Sequence, residues 1–207
     1  RRFRIFAVAW TGLSPLACMA ADLEGSAELA DALAAAQGGE IFILANGYYG
    51  DLTIAQDNAS DVTIKAAVEH GASFDVVKIT GSHIKIDGLS INGRFMIGGA
   101  DHVTATNSVF TSWNEVLYSS NVVVADNDFT GTLSIEESTY FRVADNYIHE
   151  VQGDLIRVIG NSSEGVFENN VLWDMIPKKF ADGTYIHADA LQMFSTSKGT
   201  PHDIVIR

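Results

Sequence analysis

Between Val103 and Ile148 the chain repeats itself, and a chain that repeats at a short fixed step has few ways to fold. Three segments read Val103-Thr-Ala-Thr-Asn-Ser-Val-Phe110, Val122-Val-Val-Ala-Asp-Asn-Asp-Phe129 and Phe141-Arg-Val-Ala-Asp-Asn-Tyr-Ile148, with corresponding positions 19 residues apart. Ile84 to Ile91 lies one step upstream, and Gly165 to Leu172 follows 24 residues after the Phe141 segment. A period near 20 is the signature of a solenoid. Within each unit, apolar residues at alternate positions mark a strand with one face inward, which turns at Asn or Asp-Asn into a second apolar position. Ser108, Asn127, Asn146 and Asn170 share one equivalent position, held by Leu89 in the first unit.

The recurrence has a physical reason. Coils stacked about 4.8 Å apart set identical side chains above one another, where amides pair in a ladder. Asn also tolerates the left-handed backbone of a sharp turn. A meander of short antiparallel strands is disfavoured, because no two-residue Asn-Gly hairpin separates the units.

At 207 residues the chain suits one domain. A formal charge of −13 without an acidic block excludes nucleic acid as a partner, since phosphate binding needs a basic footprint. Residues 1–21 read as a secretory signal peptide: Arg1, Arg2 and Arg4, then a short apolar core, then small residues from Ser14 to Ala21. A buried first helix is the alternative. Cys18 invites a lipoprotein reading, but no aliphatic residue stands three places before it. Cleavage would remove the only Cys and leave residues 22–207 as a monomeric domain, secreted or periplasmic and free of the membrane. Ile204-Val-Ile206 reads as the opening of another coil, so further chain is expected after Arg207.

Ser26 to Gln37 is predicted as an amphipathic helix, N-capped by Ser26, with Leu29, Leu33 and Ala36 on one face and Gly38-Gly39 at its end. Ile41–Leu44 and Leu52–Ile54 read as strands, with Asn46-Gly47 as a turn between them. A solenoid exposes the apolar cross-section of its first coil, and such a helix caps it.

Glu28 to Ile54, ELADALAAAQGGEIFILANGYYGDLTI, resembles the N-terminal cap and first coil of the secreted right-handed parallel β-helix proteins, the pectate-lyase-like superfamily. The repeats from Ile84 onward extend the resemblance. His187-Ala-Asp-Ala-Leu-Gln192 is similar to the His-x-Asp-x-Ile/Leu-Gln coil of bacterial members. The expected fold is therefore all-β, a right-handed parallel β-helix with an N-terminal capping α-helix. The resemblance implies a bacterial, exported protein acting on polysaccharide, although one fold hosts many functions.

Each unit carries a second strand after its turn: Met96-Ile97, Val116 to Tyr118, Leu133 to Glu136, Leu155 to Val158 and Ala190 to Met193. Stacked in parallel, these strands should place Glu136, Arg157 and Gln192 as neighbours in one outward row. Pro177 to Pro201 is the irregular part, where one coil is enlarged by a loop. Lys178, Lys179, Asp182, Tyr185, His187 and Asp189 crowd together there.

If the cluster is catalytic, the resemblance suggests lyase or epimerase chemistry on uronic-acid polysaccharide. Proton removal α to a carboxylate needs the developing charge neutralised, by Arg157, Lys178, Lys179 or a Ca²⁺ held by Asp154, Asp182 and Asp189. His187 would be the base and Tyr185 the acid, with Glu136, Gln192 and Trp173 contacting substrate. An acidic protein repels a polyanion at long range unless bound cations invert the local field. Each residue also has an ordinary reading: a solvated Lys pair, a His187–Asp189 turn, a Glu136–Arg157 surface ion pair, a polar ladder through Gln192. Two other functions stay open. One is a glycoside hydrolase with paired carboxylates from Asp154, Asp182 and Asp189. The other is a non-catalytic glycan-binding or structural solenoid using Trp113, Tyr118 and Trp173.

Overall fold

The computed structural model describes residues 25–177, 179–185 and 187–207. The signal peptide expected over residues 1–21, and Lys178, lie outside them. Successive strands join three parallel sheets in rotation, which is a parallel β-helix. The first sheet holds Ile41–Leu44, Val62–Ala66, Ile84–Asp87, Asp101–Thr106, Ser120–Ala125, Thr139–Ala144, Ser163–Glu168 and His202–Ile206. The second runs from Gly47–Tyr48 through Val109–Phe110, Asp128–Phe129 and Tyr147–His149 to Val171–Trp173. The third contains Leu52–Ile54, Val77–Ile79, Phe95–Gly98, Asn114–Leu117, Leu133–Glu136, Ile156–Ile159 and Leu191–Phe194.

Alternation of side chains sends one set inward on all three sheets. Phe110 lies on Phe129, which lies on Ile148, and all three are fully buried. The Phe110 and Phe129 rings stack with centroids 4.6 Å apart. The interior file expected from the repeats is therefore present, and it extends to Ile91 and Leu172.

The amide ladder runs beside it. Ser108 N donates to Asn127 Oδ1 (2.9 Å), Asn127 N to Asn146 Oδ1 (3.0 Å), and Asn146 N to Asn170 Oδ1 (3.1 Å). The left-handed residue is not the ladder Asn but the one before it: Asn107, Asp126, Asp145 and Asn169. The ladder Asn keeps ordinary backbone so that its amide can point into the stack. A second ladder occupies the turn from third to first sheet, where Ala100 N, Ser119 N and Ser138 N donate to Ser119, Ser138 and Ser162 Oγ at 3.1, 3.1 and 3.2 Å.

The helix spans Ser26–Ala34 and packs against Leu52–Ile54 through buried Leu29 and Leu33, each worth about 2 kcal/mol in apolar burial. Gly25, not Ser26, is its N-cap, and no side-chain cap bond forms. Asn46 is a bend, and Gly47–Tyr48 already belongs to the second sheet. No helix of the described residues is long and apolar enough to cross a membrane.

Candidate functional site

The outward face of the third sheet is set by register. Lys78, Met96, Glu115, Ser134, Arg157 and Gln192 form one row across successive coils. Arg157 and Gln192 are thus neighbours, as expected. Glu136 is not in their row: it pairs with Leu117 and Ile159, two residues further along the strands. The turn from Glu150 to Leu155 is longer than its counterparts, and the extra chain shifts the following strand against the simple repeat.

Arg157 is held from three sides. Its guanidinium carbon lies 5.7 Å from the Trp113 ring and 5.2 Å from that of Phe194. Its Nε is buried, has no hydrogen bond, and sits 3.5 Å from Asp154 Oδ2. Asp154, with a side chain only 11 % exposed, accepts at Oδ1 from the Asp189 backbone N–H at 2.9 Å. Leu155 N in turn donates to Asp189 O at 2.9 Å, so the coil and the enlarged one above it are stitched together here. His187 Nδ1 lies 3.0 Å from Asp189 Oδ2, and the imidazole is 75 % exposed.

One ligand atom from each of Asp154, His187 and Asp189 falls within 4.8 Å of the others. Two carboxylates and an imidazole offer a cation three donors and leave positions for water. The nitrogen donor suits a transition ion better than Ca²⁺, which prefers about six to eight oxygens.

The insertion is a real enlargement of one coil, because Ser163–Glu168 and His202–Ile206 pair directly across it. Lys179 and Tyr185 face each other in an antiparallel bridge, with Lys179 Nζ 5.6 Å from the Tyr185 ring. Asp182 closes that hairpin, its Oδ1 accepting from Thr184 Oγ1 (2.6 Å) and Thr184 N (2.9 Å). These bonds hold its carboxyl below the usual range. Asp182 therefore does not join Asp154 and Asp189; His187 takes the third place. Trp173 ends the second sheet, opposite His149, and is apart from the Arg157 row. Phe194 and Lys198 were not foreseen, since a lone aromatic and a lone lysine in a turn carry no pattern.

Fold and site together define a parallel β-helix protein with a polar cluster on the outer face of its third sheet. No protein-family model matches the sequence, and no curated protein matches it. Among solved structures the chain is similar to a Parabacteroides merdae ATCC 43184 protein provisionally named a glycosyl hydrolase, at 16% identity and a TM-score of 0.55, covering 78% of this chain and 89% of that one. It is also similar to an alginate lyase from Paenibacillus sp. str. FPU-7, at 15% identity and a TM-score of 0.49, over 70% and 73% of the two chains. At these identities similarity speaks for the fold alone.

Proposed function

We propose that this chain is a carbohydrate-active protein that binds an acidic polysaccharide across the outer face of its third sheet and acts on it beside Asp154, His187 and Asp189. The observation that carries the reading is the convergence of Asp154, Arg157, His187 and Asp189 at one sheet edge, flanked by Trp113 and Phe194. A buried hydrogen-bonded network at a sheet edge needs no exposed imidazole, yet one is held there by Asp189.

The chemistry we assign is proton abstraction α to a uronate carboxylate. Asp189 orients His187 through Nδ1, which leaves Nε2 to take the proton. Arg157 faces the charge that develops on the carboxylate. Tyr185 is assigned the return of a proton to the leaving oxygen. A divalent cation on Asp154 and Asp189, Ca²⁺ among the candidates, would add to the neutralisation that Arg157 begins. Export is part of the proposal, on the leader-like residues 1–21.

The test is incubation with alginate, pectate and glycosaminoglycans while following the absorbance of unsaturated uronate. The expected result is a rise that His187→Ala removes without lowering the thermal midpoint. New reducing ends without that absorbance would replace the lyase with a hydrolase. Retention on an acidic glycan gel with neither product would leave a binding solenoid.

A further inference from the structure

The cations of this acidic chain are unevenly neutralised. On or beside the first sheet, Lys65, Lys85, Arg142 and Arg207 each pair with a carboxylate. Beside the third sheet Arg94 pairs with Glu115 and Arg157 faces Asp154, while among the described residues Lys78, Lys179 and Lys198 make no ion pair with a carboxylate. Lys78 projects from the third sheet, and Lys198 lies on the turn that leaves it.

The position of Lys198 is built. After Phe194 the chain folds back along the edge of the third sheet as a short strap, closed by Thr196 N donating to Gly199 O at 2.8 Å. Thr196 Oγ1 donates to Glu137 Oε1 at 3.2 Å, and Asn161 N donates to Glu137 Oε2 at 3.2 Å. The strap lies close: a Cβ on Gly160 would fall 1.9 Å from Glu137 Oε1 and 3.1 Å from Thr196 Oγ1. Glu137 is thereby hydrogen-bonded to the strap, and while its charge and that of Glu136 still act on Lys198, the ammonium makes its hydrogen bond to Tyr118, 80 residues earlier. Lys198 Nζ donates to Tyr118 Oη at 2.9 Å and stands 4.4 Å from the ring centroid.

Tyr118, with φ 50, occupies a left-handed turn position that Glu137 (φ 50) fills in the next coil and Gly99 and Gly160 in others. Among the described residues Tyr118 is the hydrogen-bond partner of the Lys198 ammonium. An ammonium has three N–H groups and spends one on Tyr118. The Tyr118 oxygen accepts that bond and keeps its own O–H to give. Three donors and one positive charge converge on an exposed spot, about 10 Å along the stack from the coil of Arg157, two strand spacings away.

We infer that Lys198 and Tyr118 form a second, carboxylate-recognising subsite at the edge of the third sheet, taking one uronate of an acidic glycan whose neighbouring part lies against Arg157. It rests on the reading of that sheet as the glycan face. The two remaining N–H groups of the one ammonium and the Tyr118 hydroxyl match the paired acceptors of a carboxylate, and the ammonium supplies a local positive charge, shared with Glu136 and Glu137, on a chain of net charge −13.

The experiment is titration calorimetry of oligouronates from alginate and pectate, and of the same glycans with their carboxyls reduced, at two salt concentrations. Lys198→Met should weaken oligouronate binding about tenfold and flatten its salt dependence, as loss of one charge-assisted hydrogen bond predicts. Lys198→Arg should recover most of the affinity, and Tyr118→Phe should fall between. Binding of the carboxyl-reduced glycan and the thermal midpoint should be unchanged by Lys198→Met. Equal oligouronate affinity in wild type and Lys198→Met, or equal losses on both glycans, overturns the subsite while the wider reading stands. Wild type that binds no acidic glycan overturns both. A sulfated glycan that depends on Lys198 where oligouronates do not would replace the carboxylate with a sulfate ester.

Discussion

Asn146 holds Asn127 twice: its Oδ1 accepts from the Asn127 backbone N–H at 3.0 Å and from Asn127 Nδ2 at 3.1 Å. The same side chain donates through Nδ2 to Val124 O and to Asn170 Oδ1, both at 2.9 Å. One buried amide thus ties together the coils on either side of it. Asn146→Ala would leave the buried Asn127 N–H without an acceptor, and should cost about 2–4 kcal/mol in urea unfolding. Asn146→Asp should be no milder, because a carboxylate cannot donate to Val124 and carries charge into the stack. Asn170→Ala, at the less buried end of the ladder, should cost less than either. Equal costs at both positions would show that the ladder is decoration and that the apolar files alone set stability.

A second prediction concerns close approach of backbone between coils. A Cβ on Gly131 would stand 1.5 Å from the Ser112 carbonyl oxygen, and one on Gly93 would stand 2.3 Å from that of Asp75. Neither glycine needs an unusual φ; each is there because the coil below passes underneath. Gly131→Ala must push two coils apart and should destabilise by about 3 kcal/mol or more, as for overpacking with no flexible neighbour. Gly153 has open space around it but φ 114, so Gly153→Ala should cost only about 1 kcal/mol of backbone strain. Thermal melts of the two variants separate contact from conformation.

These relationships explain what could be read from the sequence. The Phe110–Phe129–Ile148 file and the Asn ladder were legible because stacking makes equivalent residues do the same job at the same step. The serine ladder through Ser119, Ser138 and Ser162 obeys the same spacing, yet a small hydroxyl is too common to stand out. The coil from Val62 to Ile79 carries no repeat signature, because it has no Asn at the turn and its step to the next coil is longer, pairing Val62 with Ile84. Glu136 was misplaced because register after an elongated turn depends on chain length, which a residue pattern does not show. His187 and Asp189 were visible through their spacing. Their meeting with Asp154 was visible only in part, because it depends on how the insertion returns to the sheet.

Acid should weaken the fold in a definite window. Asp101 accepts from Ser120 Oγ at 2.6 Å, Asn121 Nδ2 at 2.7 Å and His102 Nδ1 at 2.6 Å, and these bonds pull its pKa down to about 2. A depressed folded-state pKa stabilises the native chain above the unfolded value of about 3.9 and loses that contribution as pH falls to the folded value. Urea midpoints should therefore drop between about pH 4 and pH 2, and Asp101→Asn should show a shallower drop. The slope will not vanish, because Glu168, bonded by Arg142 and Arg207, shifts in the same direction. An unchanged slope in Asp101→Asn would mean that solvent screens this partly exposed carboxylate completely.

Cation binding gives a test that needs no substrate. If Asp154, His187 and Asp189 hold a divalent ion, adding it should raise the thermal midpoint, since a ligand at a hundred times its Kd stabilises by about 2.7 kcal/mol. The rise should disappear in Asp189→Asn and on addition of a chelator. A response to Ca²⁺ that survives His187→Ala would leave the carboxylates as its holders. A response to Zn²⁺ or Mn²⁺ lost with His187→Ala would assign the imidazole as a ligand and remove it from the role of base.

Asp154 and Arg157 should separate stability from binding. Asp154 satisfies the Asp189 N–H and faces the otherwise unbonded Arg157 Nε. Asp154→Ala would orphan both, leaving a partly buried cation uncompensated, and should cost about 2–4 kcal/mol. Arg157→Met keeps an unbranched chain between Trp113 and Phe194 and leaves Asp154 with the Asp189 N–H but without its cation, so it should cost about 1–3 kcal/mol, less than Asp154→Ala. Binding should respond in the opposite order. Arg157→Met should lose affinity for an acidic glycan that its folded state would otherwise retain, and Arg157→Lys should not restore it, because an ammonium cannot lie flat between two rings while offering a planar fork to a carboxylate. Urea unfolding and glycan titration on the same preparations decide it. If Arg157→Met unfolds as readily as Asp154→Ala and binds as well as wild type, the guanidinium is a packing element and the candidate cluster has lost its positive pole.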